Sequence, residues 1–334
     1  VLVTISSIDH SKSLPERHEE LRARYGAAFK CACMRCEFER GQGAKLPTET
    51  IRAVGDLAMQ QQRQDDAFRT YSFLLRRSPN DGEALYARAA ARLEGLRWRE
   101  AHKLFRQGYH LAPEHALLAA TEKKRVAYQL PHRTAPPSYS PPPFDAFLGG
   151  RAFMTKGAEG VVSDAECRFV IEETEAHAAA QGGWTTARHY AVPTTDIPVH
   201  NIPKVLEWFR TLLQERLGPL LDATFGAADV GRGGERVRIF DAFVVKYTAE
   251  RQRHLPVHRD QSTHSFTVAL NSSAEYDGGG TYICELGEAL RPERGHVVAF
   301  DGELLHGGEP ITRGTRYIVV AFCYTEGEEG EEEE

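Results

Sequence analysis

No apolar run in this sequence approaches the roughly 18 residues that a membrane-spanning helix requires, so a helical membrane span is excluded. Nor does the body of the chain carry a sustained excess of one charge. The formal net charge of −6 traces to the end of the chain, where Glu326, Glu328, Glu329, Glu331, Glu332, Glu333 and Glu334 supply seven negatives; taking these from −6 leaves the remainder at +1. That near-neutral balance, with no basic stretch interleaved with aromatics, argues against a nucleic-acid partner. The acidity itself reads as a solvated, disordered tail over 326–334. Cysteine is scarce, with six residues, and is not spaced as a disulfide framework. Cys31, Cys33 and Cys36 crowd into six positions while Cys167, Cys284 and Cys323 stand singly, a pattern of metal binding in a reducing compartment. The first residue is Val, and no basic segment with an apolar core follows it, so the chain is expected to be a fragment or processed product.

What is present is an ordinary globular composition over 334 residues, 41% apolar and 26% charged, long enough for two or three domains. A repeat organises the first part. Ala67 recurs as Ala101, Tyr71 as Phe105 and Pro79 as Pro113, each pair 34 residues apart, the period of the tetratricopeptide helix-turn-helix unit. The small residues let paired helices approach, the aromatics fill the space between them, and the prolines end each second helix. Residues Leu117 to Tyr128 read as a capping helix. From 129 to 150 six prolines favour an extended spacer and a domain boundary. Beyond it, Ser163 with Asp164 and Glu166 predicts the start of a helix running to about Gln181, and apolar spacing predicts a second helix over Pro203 to Thr224. Short β-type runs follow at Val237 to Tyr247, Ser265 to Asn271, Gly280 to Leu286, Gly295 to Phe300 and Arg316 to Tyr324, which point to a sandwich or barrel. The expected fold class is α+β multidomain: a cysteine segment over 1–45, helical repeats over 46–128, a Pro-rich linker over 129–150, and a mostly β domain with flanking helices over 151–325.

The most informative segment is His258-Arg259-Asp260. On a strand, side chains at i and i+2 face one side, so this imidazole and carboxylate can converge on one point. His306, in Leu304-Leu305-His306-Gly307-Gly308, supplies a second imidazole, and Arg316 follows it by ten residues. Two histidines and a carboxylate form the facial triad of non-haem Fe(II) oxygenases, with open positions for a chelating co-substrate and O₂. A 2-oxo acid bound through its keto oxygen and C1 carboxylate leaves its second carboxylate for a guanidinium, the role Arg316 suits.

These residues carry a resemblance. Phe243-Val244-Val245-Lys246-Tyr247, His258 to Thr263, Thr267 to Asn271, Gly278-Gly279-Gly280 and Pro310 to Tyr317 resemble the catalytic domain of procollagen lysyl hydroxylases, within the prolyl and lysyl hydroxylase class of 2-oxoglutarate dioxygenases. The likeness reaches upstream to Val192 to Pro198 and covers about Gly183 to Tyr324. It implies a double-stranded β-helix (jelly roll) with His258, Asp260 and His306 as catalytic iron ligands, and Arg316 as catalytic anchor of 2-oxoglutarate. Tyr247 and Asn271 match positions that lie against that co-substrate, and ascorbate is a candidate further cofactor. Arginine at 316 leans away from collagen prolyl 4-hydroxylases, which usually carry lysine there. The glycosyltransferase domains that precede the catalytic domain in animal lysyl hydroxylases do not appear in this sequence. Cys31, Cys33 and Cys36, with Ile5 to Asp9, Arg17, Leu21, Tyr25 and Phe29, resemble the post-SET tail of SMYD-type SET proteins. This makes the cluster a candidate zinc site, with His10, His18 or a partner chain as fourth ligand. No SET core is present, so no methyltransferase activity is implied.

The expected function is an Fe(II)- and 2-oxoglutarate-dependent dioxygenase that hydroxylates a lysyl or prolyl side chain of a protein or peptide, with the helical repeats as a peptide platform. The alternatives are a tetratricopeptide scaffold with a remnant dioxygenase domain and a small-molecule hydroxylase acting on a free amino acid. His254, His264 and His296 are expected to be packed or exposed, with His264 and Arg259 also candidates for the substrate mouth together with Thr195 and Asp196. The repeats and post-SET segment favour cytoplasm or nucleus, whereas the lysyl hydroxylase resemblance by itself favours the secretory pathway.

Overall fold

Helices in the first part of the chain keep a strict register. In the computed structural model, which describes residues 19–20, 22–23, 26, 46–95, 97–128, 140–186, 194–225 and 236–326, α1 (Thr48–Gln60) and α2 (Gln64–Arg77) are followed by α3 (Gly82–Glu94) and α4 (Trp98–Leu111). Thr48 to Gly82 and Gln64 to Trp98 are both steps of 34, and the ends of the four helices repeat likewise. Pro79 and Pro113 lie just past the ends of α2 and α4, where a residue lacking an N–H cannot extend a helix. Ala67 and Tyr71 are buried with Ala58 and Ala91. A Cβ on Gly55 would come within 2.6 Å of the Tyr71 ring, so only glycine lets α1 approach that aromatic so closely. The Tyr71 hydroxyl donates to Asp56 at 2.7 Å.

The described residues divide into two compact units, 19–20, 22–23, 26 and 46–95 with 104–118, and 97–103 with 119–128, 140–186, 194–225 and 236–326. This corrects the boundary expected at 128. Helix α5 (Ala116–Ala127) sends most of its length into the second unit, where Lys124 meets Asp241 at 3.4 Å and the Tyr128 hydroxyl donates to the Ala242 carbonyl at 3.0 Å. The linker expected to reach Gly150 also ends sooner, because Phe144–Phe147 forms β1, paired with β2 (Ala152–Thr155). Prolines 141–143 stop just before that strand, which leaves its N–H groups available for the ladder. The cysteine cluster at Cys31, Cys33 and Cys36, with its candidate ligands His10 and His18, lies outside the described residues, as do 129–139 and the tail from 327.

The second unit is an antiparallel β-sandwich with helices on one side. The larger sheet runs β1-β2-β10-β6-β12-β4-β3, where β3 is Asp196–Pro198, β4 Arg236–Thr248, β6 His264–Ala269, β10 Val297–Asp301 and β12 Ile311–Glu326; β7 (Tyr276–Gly278) pairs with β12. The smaller sheet runs β5-β11-β8-β9, from Leu255–His258, His306–Gly308, Thr281–Ile283 and Glu288–Leu290. Strand alternation sorts the large sheet into two faces. Val244, Phe266, Val268, Val319 and Ala321 face outward and pack against Val170 of α6 (Asp164–Ala180) and Phe209 and Leu212 of α7 (Pro203–Leu212). Phe243, Val245, Tyr247 and Ile318 face the other way, together with Tyr276 and Ile311. Burial on both faces is why 242–245 of β4 and 317–324 of β12 read as continuous apolar runs.

Helix α6 starts at the expected signal: the Ser163 hydroxyl accepts from the Glu166 N–H at 3.3 Å and the Glu166 carboxylate accepts from the Ser163 N–H at 2.9 Å. The helix expected over 203–224 is interrupted. After α7 the chain makes a π-turn at Leu213–Leu217 before α8 (Gly218–Thr224). Pro219 explains the interruption, since its ring displaces the carbonyl four residues earlier and it has no N–H to close an α-turn.

Candidate metal and co-substrate site

His258 ends β5 and His306 begins β11, and the two are direct cross-strand partners. Their rings lie 4.5 Å apart between centroids. Asp260, two residues past His258, is fixed by its N–H to the Gly302 carbonyl at 3.0 Å, and its carboxylate oxygens stand 3.2 Å from His258 Nε2 and 3.3 Å from His306 Nε2. One ligand atom from each residue falls within 4.8 Å of the other two. Among the described residues this is the one group of His, Cys, Asp and Glu that converges so.

Local hydrogen bonds choose the ligand atoms. His258 Nδ1 donates to the Pro256 carbonyl at 2.8 Å, and His306 Nδ1 to the Leu304 carbonyl at 2.9 Å. A carbonyl only accepts, so each Nδ1 carries a proton and each Nε2 turns toward the common point. Burial opposes the charged forms of Asp260 and His306. Their mutual attraction and the His258 contact nevertheless hold the Asp260 carboxyl well below its usual range and His306 above its own. A divalent cation satisfies the same buried carboxylate without that extra proton. The donor set, two imidazoles and one carboxylate, fits Fe(II).

Two hydroxyls that were not singled out from the sequence complete this corner. Ser265 donates to Asp260 Oδ2 at 2.5 Å, and Ser262 lies 2.8 Å from Ser265. Their only signal was the run of small hydroxylic residues just past His258-Arg259-Asp260.

Arg316 is 2% exposed, and its Nε has no hydrogen-bond partner. It is the cross-strand partner of Tyr247, with its guanidinium carbon 5.5 Å from the Tyr247 ring centre. A buried, unpartnered donor on a permanent cation is costly unless an anion meets it, which is what a dangling carboxylate of a 2-oxo acid provides. Gly279, at φ +72°, lets the glycine turn pass beside this arginine; a Cβ there would sit 3.1 Å from Arg316 Cδ. Burial raises the pKa of the Tyr247 hydroxyl; Arg316 acts against that rise, while Asp196 and Asp260 add to it, so the hydroxyl stays a protonated donor.

Asn271 is buried, and its carboxamide is engaged by the main chain of Thr315 and Tyr317. Asp196 is fully buried, accepts from the Thr194 hydroxyl at 2.8 Å, and pairs across the ladder with Val245, on the Tyr247 side of the sheet. Thr195 is tied to β4 through its carbonyl, which accepts from the Lys246 N–H at 3.0 Å. His264 is packed, as expected, with its ring centre 4.1 Å from that of Phe225. Arg259 and His254 are exposed, and His296 is held by Thr155 at 3.1 Å.

No family model matches the chain. Among curated proteins it is 32% identical over 178 residues to the multifunctional procollagen lysine hydroxylase and glycosyltransferase LH3 of Rattus norvegicus, covering 48% of this chain and 22% of that protein. It is 35% identical over 146 residues to procollagen-lysine,2-oxoglutarate 5-dioxygenase 1 of Homo sapiens, covering 42% and 19%. The chain thus spans about a fifth of the length of these relatives. Among solved structures, a 2OG-Fe(II) oxygenase family oxidoreductase from Burkholderia pseudomallei overlaps with a TM-score of 0.40 at 16% identity, over 55% of this chain and 96% of that one. A viral collagen prolyl hydroxylase from Paramecium bursaria chlorella virus-1, in its 2OG complex, overlaps with a TM-score of 0.35 at 17% identity, over 52% and 94%. The sequence similarity to the lysine hydroxylases supports a 2-oxoglutarate-dependent dioxygenase.

Proposed function

We propose that this chain is an Fe(II)- and 2-oxoglutarate-dependent dioxygenase that hydroxylates a lysyl or prolyl side chain of a protein or peptide, on a double-stranded β-helix. The observation that carries the reading is the convergence of His258, Asp260 and His306 in the same domain as a buried arginine whose Nε is unpartnered. Bound Fe(II) supplies the coupling of O₂ reduction to decarboxylation of 2-oxoglutarate, which yields succinate and CO₂ and leaves one oxygen atom for a substrate C–H bond.

The residues of the chain do the rest. His258 and His306 hold the metal through Nε2, oriented by their Nδ1 bonds to main-chain carbonyls. Asp260 supplies the negative charge, steadied by Ser265. Arg316 receives the distal carboxylate of the co-substrate and so fixes its orientation, and the neutral Tyr247 hydroxyl offers a donor alongside. Burial of Tyr247, Asp260 and Arg316 excludes water and strengthens these contacts. The similarity to procollagen lysine hydroxylases supports a protein or peptide substrate and favours lysyl over prolyl. The helices repeating every 34 residues support a tetratricopeptide-like peptide platform.

Anaerobic titration with Fe(II) and then 2-oxoglutarate tests the reading. The wild type is expected to develop the weak visible metal-to-ligand charge-transfer band of the chelate. Arg316→Ala is expected to need roughly ten- to a hundredfold more 2-oxoglutarate, the worth of hydrogen bonds to a charged group. No band in folded wild type overturns the proposal. Under O₂, a peptide that gains one oxygen atom on lysine or proline identifies the substrate class; turnover of a free amino acid alone favours the small-molecule alternative.

A further inference from the structure

Asn271 stands where the ladder between β6 and β12 runs out. The last paired residues are Ala269 and Ile318, and the Leu270 N–H still reaches the Tyr317 carbonyl at 3.0 Å. From there the Asn271 side chain takes over the pairing. Its Nδ2 donates to the Thr315 carbonyl at 2.8 Å and its Oδ1 accepts from the Tyr317 N–H at 2.8 Å. Thr315 and Tyr317 are the two residues that flank Arg316.

The chemistry permits only one orientation of this carboxamide, because a carbonyl cannot donate and an N–H cannot accept. The second Nδ2 proton is used as well, on Glu275 Oε2 at 3.3 Å. Glu275 is itself anchored, its other oxygen accepting from the Ser272 N–H at 3.0 Å in a capping box. Both donors of the amide are therefore committed to protein atoms, and the group is 4% exposed. On the opposite edge of β12 Arg316 is flanked by Tyr247 across the ladder, and a Cβ on Gly279 would sit 3.1 Å from Arg316 Cδ.

We propose that Asn271 is a positioning residue which acts through Arg316: it clamps the backbone on both sides of the arginine and so sets where the guanidinium emerges, without itself touching the co-substrate. The proposal rests on the reading of Arg316 as the anchor of the distal carboxylate. Its consequence is selectivity. A 2-oxo acid that lacks the distal carboxylate does not use the guanidinium, so it is indifferent to the clamp.

The test is calorimetric titration of the full chain, loaded with Mn(II), with 2-oxoglutarate and with 2-oxopentanoate, which has the same chain length without the distal carboxylate. Asn271→Ala is expected to weaken 2-oxoglutarate binding about tenfold, the worth of one buried hydrogen bond, with Mn(II) and 2-oxopentanoate affinities unchanged. Asn271→Asp keeps the side-chain shape and the acceptor for Tyr317, but turns an oxygen against the Thr315 carbonyl and Glu275. It is expected to show the same selective loss. Equal loss of both acids, loss of Mn(II) affinity, or no change in either variant overturns the proposal. Arg316→Ala separates the two layers: if it leaves the preference for 2-oxoglutarate intact, the anchor reading fails; if it abolishes the preference while the Asn271 variants keep it, only the role of Asn271 fails.

Discussion

The two faces of the large sheet bury different chemistry. Outward, under the helices, Val244, Phe266, Val268 and Val319 meet Val170, Phe209 and Leu212 with apolar atoms. Inward, the same strands bury Tyr247, Arg316, Ser265 and, from β3, Asp196. The outer face gains free energy from each side chain, roughly 1.5–3 kcal/mol for a fully buried large residue. The inner face also buries apolar side chains, Phe243, Val245 and Ile318, and sets among them groups whose desolvation costs free energy unless each finds a partner. A sheet of this kind keeps its polar groups to one of the two faces by alternate residues along one strand.

That separation can be broken from the outside first. Phe209 is fully buried and lies 6.5 Å from the Phe266 ring. Phe209→Ala is expected to lower stability by about 3–5 kcal/mol in chemical denaturation. Below the unfolding transition, Mn(II) affinity is expected to hold within roughly twofold, since distant sites are nearly additive. A large change in metal affinity would show that the two faces are coupled.

The inner face is sharpened by the opposite substitution. Ser265→Ala removes the hydroxyl on Asp260 Oδ2 and is expected to weaken Mn(II) binding by about ten- to a hundredfold, as loss of a partner of a metal ligand does. Its denaturation midpoint is expected to move much less than that of Phe209→Ala. Equal shifts in both quantities would erase the contrast.

The smallest effect lies at the start of α6. The Glu166 carboxyl is held at about 2, below its ordinary 4.5: burial pushes it up, and the hydrogen bonds from Arg216 and Ser163 more than reverse that. A depressed carboxyl contributes stability that is complete above its unfolded value and is lost as pH falls toward the folded one. Glu166→Gln is expected to flatten the acid limb of stability between about pH 4.5 and 2 and to leave neutral-pH metal binding unchanged. An unaltered acid limb would assign that limb to other carboxylates.

Much of the site was legible in advance because it is written in short spacings. His258 and Asp260 converge through an i, i+2 step, and the Ser163–Glu166 start of α6 is a local hydrogen-bond pattern. The orientation of His264 was not legible, since the turn through Gln261, Ser262 and Thr263 resets strand parity after Asp260 and sends that ring under the helices. The hydrogen bonding of Asn271 was not legible for a similar reason: its carboxamide is engaged by main-chain groups 44 and 46 positions away. Composition likewise hid β1, because prolines that argue for a spacer stop one residue before the strand begins.

The sequence by itself determined the 34-residue register of α1 to α4, the apolar runs inside β4 and β12, and the residue types that meet at His258, Asp260 and His306. Those are properties of neighbours along the chain, where backbone sterics and side-chain period act directly. Only the tertiary structure decided that His306 is the cross-strand partner of His258, that Arg316 lies across the ladder from Tyr247 with its Nε unpartnered, and that Asn271 brackets the arginine. Each of these depends on ladder register between segments far apart in sequence, and register is set by the burial of whole strands rather than by any one residue on them.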